Sequence, residues 1–167
     1  MDRSEMIRIF GAALAPTLRF SEIPEQLTND QARMVLKSIG VPTSLGDLVA
    51  TNLYNLRPLS EVLTGIPLPP WAQSTHVLNL GLFLDGFLCL DAEDGRILML
   101  TRALEQTPVV LASDLYTFVT LLARISQVAH QRTSSDISDL TALTQEIDPL
   151  ALSSSDKWEQ LFEYLAN

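Results

Sequence analysis

Four carboxylates, Asp85, Asp91, Glu93 and Asp94, crowd the stretch "LFLDGFLCLDAEDGRILML" at residues 82–100. Acids so close together offer a hard-cation site, an acid/base pair, or simply the charged ends of turns. A calcium loop of the EF-hand type needs oxygens at positions 1, 3 and 5, glycine at 6 and a bidentate Glu at 12. Counted from Asp91, position 3 is Glu93, but position 5 is Gly95 and position 12 is Arg102. The calcium pattern fails there. A turn accounts for these acids better: Asp tolerates the bend, Gly95 supplies positive φ, and charge keeps a hairpin end in water.

The remaining reactive side chains read the same way. His76 opens a predicted strand, and His130 lies near a helix C-terminus, where the dipole favours a cation. Neither has a third ligand at helical or hairpin spacing, as zinc would require. Cys89, the only cysteine, sits in "FLCLD" as a small buried hydrophobe; a nucleophile would need exposure and a nearby base. No G-x-S-x-G elbow occurs, "LSSSD" reads as a helix cap, and the 7 glycines are scattered at turns and helix ends rather than gathered in a phosphate loop. The expectation is a protein that is not an enzyme and has no cofactor and no metal.

Charge narrows the partner. With 20 acidic against 11 basic residues the net charge is −9, a surface that repels phosphate backbones. Nucleic acid is not expected, and a basic protein partner, or plain solubility, suits the charge. Candidate contacts are Asp85, Asp91, Glu93 and Asp94 as a charged rim, with Trp71 as an aromatic anchor. The bland alternatives stand beside them: solvated turns for the acids, and packing of a proline-rich loop on a sheet for Trp71. Leu82 and Phe83 are either core or an exposed apolar tip.

These residues need a scaffold. "HVLNLGLFL", "GFLCLD", "RILML" and "PVVLA" are short apolar runs split by turn residues. Asp85-Gly86 suits a two-residue type I′ turn, and the Ala92–Gly95 link is equally short. Such links allow no parallel crossover, so about four antiparallel strands are expected from His76 to Ala112. Phe87–Leu90 and Ile97–Leu100 are apolar without alternation, so both faces of the sheet must be covered.

Helices supply the cover. "LTNDQARMVLKSIGVP" has a Thr28/Gln31 capping box and an Ala32, Val35, Leu36, Ile39 stripe, and stops at Gly40 and Pro42. "SDLYTFVTLLARISQVAHQR" is capped by Ser113, carries Leu115, Phe118, Val119, Leu122, Ile125 and Ala129 on one stripe, and ends near Arg124 and Arg132. A further helix is expected around Leu140–Ile147. A last one, capped by Ser155 with a Trp158, Leu161, Phe162, Leu165 stripe, folds back on the body. A first helix covers Ser4–Leu14, amphipathic rather than a leader peptide. "PLSEVLTG" gives one helical turn, and "IPLPPWAQ" a stiff irregular loop, whereas "LGDLVATNLYNL" is compatible with strand or helix. With no run of ~20 apolar residues to span a bilayer, no internal disulfide and an apolar fraction of 47%, the expectation is one cytoplasmic domain over residues 1–167 that does not engage a membrane.

The order of these segments is also familiar. "IPEQLTNDQARMVLKSIGVP", then "LNLG", "LCLDAEDGRILML", "VVLASDLYTFVTLL" and finally "IDPLALSSSDKWEQLFEYL" resemble the fourth subfamily of the SUKH superfamily of bacterial immunity proteins. The resemblance runs from about Phe10 to Leu165, and its specificity lies in order and spacing, not in any one motif. "GLFLDGF" departs from it, being apolar at Leu82, Phe83 and Leu84 where the family is more polar, which leaves the first strand's length open. The resemblance implies an α+β fold with a mostly antiparallel sheet backed by helices. It also implies a function: binding and neutralising a cognate polymorphic toxin, often a nuclease or deaminase, in the producing cell. A cytoplasmic adaptor or regulatory scaffold that binds a cellular protein through the acidic surface is the alternative from a different class.

Overall fold

The computed structural model describes residues 1–130, 137–153 and 156–166. Its centre is a six-stranded antiparallel meander with strand order equal to chain order. The strands are β1 (Ser44–Leu45), β2 (Val49–Thr51), β3 (Val77–Phe83), β4 (Gly86–Asp91), β5 (Ile97–Leu100) and β6 (Val109–Ala112). The last four are the strands expected from the apolar runs. The first two resolve the ambiguous stretch: residues 44–51 form a small hairpin that pairs Val49 with Phe83, and a 3-10 turn follows at Leu53–Asn55.

The unbroken apolar runs have a two-sided explanation. Leu88, Leu90, Ile97 and Met99 face the main core, whereas Cys89, Leu98 and Leu100 face a second, smaller one. Over the first face lie α1 (Arg3–Phe10), α2 (Asp30–Met34, widening into a π-turn at Val35–Ile39), α4 (Leu115–His130) and α7 (Lys157–Ala166). Over the second lie the short helix α3 (Leu59–Val62) and the proline loop, through Leu59, Leu68 and Ala72, with Leu104 packed beside them. The remaining helices are α5 (Ile137–Ile147) and α6 (Pro149–Ser153). The architecture is α+β, antiparallel sheet and helices, as the pattern requires.

The C-terminal helix is a structural member of the core. Trp158, Leu161 and Phe162 are fully buried, and Trp158 stacks edge-on against Phe83 with ring centroids 5.1 Å apart. Its indole N–H donates to the carbonyl of Leu111 at 2.8 Å, which occupies an acceptor on β6, one of the two edge strands. An unpaired edge is a template for unwanted strand addition, so this bond also blunts the sheet.

Three local readings are corrected, each because a long-range contact overrides a local rule. The N-cap of α2 is Asn29, whose side chain accepts from the Ala32 amide, since the Thr28 hydroxyl is used to reach Ala92. The N-cap of α4 is Asp114, which accepts from the Thr117 amide; Ser113 instead donates its amide to Asp148. The two-residue turn after β3 is Leu84-Asp85, not Asp85-Gly86: Phe83 pairs with Gly86, and Leu84 alone takes positive φ, at 52°. Gly86 serves packing rather than the turn, because a Cβ there would stand 2.8 Å from the Leu100 carbonyl. Arg132, residues 133–136 of the polar loop, and the Ser155 cap lie outside the described residues.

Candidate partner-binding surface

The acidic turn is built from its own backbone demands. Asp91 Oδ1 accepts from the amides of Glu93 (3.0 Å) and Asp94 (3.4 Å), and Asp94 Oδ1 accepts from the amide of Arg96 (3.0 Å). Asp94 also forms an ion pair with the Arg96 guanidinium. Gly95 takes φ 83° and donates to the Asp91 carbonyl, as a turn-closing glycine should. The carboxylates therefore mark a bend.

That bend is pinned to the body. The Ala92 carbonyl accepts from the amides of Thr28 (2.9 Å) and Asn29 (3.0 Å) and from the Thr28 hydroxyl, while the Ala92 amide donates to the His76 carbonyl at 2.7 Å. The turn is thus locked onto the N-terminus of α2. Glu93 is the acid left facing outward, its side chain 66% exposed and 3.5 Å from His76 Nδ1. A held turn with an outward carboxylate can present charge to a partner without paying to order a loop first.

The candidate residues separate into distinct places. Asp85 lies at the opposite end of β4, exposed, its carbonyl accepting from Arg102 Nε at 3.0 Å. At ~3.4 Å per residue, β4 puts roughly 20 Å between Asp85 and Asp91. Trp71 lies over the second face, half-buried against the smaller core, and its indole N–H donates to the Glu105 carbonyl at 3.2 Å. Phe83 is fully buried, whereas Leu82 is 47% exposed, so the strand keeps its full length and shows one apolar side chain.

Burial pushes the Cys89 thiol up to about 12, against the smaller pull of a backbone hydrogen bond at Leu100. A thiol held so far above neutrality is a hydrophobe. Among the described residues no group of three or more His, Cys, Asp or Glu side chains could hold a metal ion, and no helix is long and apolar enough to cross a membrane.

A second surface escapes the sequence reading. Phe20 and Tyr54 are 67% and 88% exposed, with two shallow hollows between and beside them. Neither residue belongs to a periodic apolar pattern; the only signal was an aromatic standing alone in the looped segments "LRFSEI" and "TNLYNL".

Comparison with known proteins gives one finding. Neither a curated protein nor a solved structure matches the chain. A family model described as SUKH-4 immunity protein matches residues 1–164, in agreement with the segment order and with the α+β architecture. The chain belongs to the SUKH-4 immunity protein family.

Proposed function

We propose that this protein neutralises a cognate polymorphic toxin by binding it stoichiometrically, without catalysis. The observation that carries the reading is the family match over residues 1–164. In this reading residues 1–167 act as a single immunity domain in the cytoplasm of the producing cell, with α7 as part of its core. The toxin is a nuclease or deaminase domain whose basic cleft meets carboxylates. The net charge of −9 supports that pairing, since opposite potentials speed encounter and suppress wrong partners.

The contacts proposed are Asp91, Glu93 and Asp94 at the β4–β5 turn, Asp85 at the β3–β4 turn, and Trp71 on the second face. A standard interface of ~800 Å² per partner is roughly 30 Å across, so both hairpin ends fit beneath one bound domain. Glu93 leads this set because its carboxylate is not consumed by the turn.

Co-expression with the proposed cognate toxin domain is the direct test. Growth should be rescued by the wild-type chain, and the double variant Glu93→Lys/Asp85→Lys should bind the toxin with an association rate reduced about tenfold or more at low salt. Cells that die equally with and without the chain would refute the function. Rescue with an unchanged association rate would refute only the assigned contacts.

A further inference from the structure

The Phe20 surface differs in sign from the rest of the molecule. A 3-10 turn at Phe20–Glu22 is clamped by its own acid: Glu22 Oε2 accepts the Arg19 amide at 2.6 Å, and Oε1 lies 3.3 Å from Arg19 Nη2. The clamp leaves Phe20 projecting into solvent. Two cations from α2 and its π-turn stand over the ring, the Arg33 guanidinium at 5.0 Å and the Lys37 ammonium at 5.6 Å from the centroid. Arg33 is held in place by donating to the Leu27 carbonyl at 3.1 Å. Among the described residues neither cation has a carboxylate within ion-pair distance.

Hollows flank the turn on both sides. One of about 470 Å³ is bounded by Phe20, Asp30, Met34 and Lys37, and one of about 540 Å³ by Arg19, Glu22 and Tyr54. Their charged linings are Arg19, Arg33 and Lys37 against Glu22 and Asp30, three minus two, a net of +1 on a chain of −9. Exposed aromatics, a methionine and pre-positioned arginine are the composition enriched where proteins meet. Unpaired cations over an aromatic face bind best a group that neutralises them while covering the ring.

We infer that the surface around Phe20, Arg33 and Lys37 is a docking site for a protein segment that carries carboxylates beside an apolar side chain. The apolar group covers Phe20 and Met34, and the carboxylates pair with Lys37 and Arg33. This site lies along α2 and its π-turn, beyond the helix end that holds the acidic turn, and calls for a partner segment of opposite charge to the one that turn would meet.

The test is a titration of the isotope-labelled full chain, followed residue by residue by NMR. The probes are a short peptide alternating Glu with Leu and Phe and its Lys-for-Glu counterpart. The acidic peptide should shift the amides of residues 19–22 and 33–38 at millimolar concentration or below. Phe20→Ala and Lys37→Glu, both at exposed positions, should weaken binding about tenfold while leaving the remaining resonances in place. Equal shifts from the Lys peptide, shifts confined to other regions, unaltered binding by both variants, or no shifts at all would overturn the inference.

Discussion

Asp148 is a buried acid at the corner between α5 and α6. It is 2% exposed, and each of its oxygens has its own donor: Oδ2 accepts from the Ser113 amide at 2.7 Å and Oδ1 from the Leu150 amide at 3.0 Å. One bond caps α6, whose first residue is Pro149; the other ties the β6–α4 corner to the α5–α6 corner. Asp148→Ala strands both donors. Hydrogen bonds to a charged group contribute about 1.5–3 kcal/mol each, and these amides are only partly buried, so the loss should be roughly 3 kcal/mol. Asp148→Asn keeps one acceptor but turns an NH₂ towards the second amide, so it should cost about half as much. For a chain of this size those losses correspond to about 6–12 °C and 3–6 °C in Tm. Urea denaturation followed by circular dichroism measures both on one scale. If the two variants are equally costly, or if both fall within ~0.5 kcal/mol of wild type, the two-donor account is wrong.

Other perturbations probe separate parts of the fold. Trp158→Phe keeps much of the aromatic packing but orphans the Leu111 carbonyl, and should lower stability by about 1–3 kcal/mol in the same denaturation assay. Gly86→Ala drives a methyl towards the Leu100 carbonyl and should cost more than ~2 kcal/mol, whereas Gly46→Ala, with nothing within 4 Å, should cost about 1 kcal/mol from its positive φ alone. Cys89 should resist thiol reagents at neutral pH in the folded chain and react once urea unfolds it. Because its folded pKa is raised from 9.0 to about 12, its thiol stabilises fully below 9, and that contribution is lost as pH rises from 9 towards 12. The stability difference between wild type and Cys89→Ala, measured against pH, should therefore narrow across that interval.

What could be read in the sequence was whatever depends on pattern over many residues. "FLCL" and "ILML" demanded cover on both faces because an apolar run without alternation leaves no side for water, and both covers are present. The Trp158, Leu161, Phe162 stripe marked a helix buried in the core for the same reason. β1 and β2 were illegible because strands of two and three residues are too short to show a period. Thr28, Ser113 and Gly86 each satisfy a local rule, yet each is claimed by a distant group: Ala92, Asp148 and Leu100 respectively. Composition gave the sign of the surface charge but not its layout. It did not reveal that β4 holds Asp85 away from Asp91, or that Arg33 and Lys37 converge on Phe20.

The central claim is inhibition by occupancy, and a titration of toxin activity against added protein addresses it most directly. With the proposed cognate toxin domain, activity should fall linearly and vanish at one equivalent, with a one-to-one complex visible by native mass spectrometry. Toxin that stays active in excess protein, or that is silenced by far less than one equivalent, would contradict stoichiometric binding.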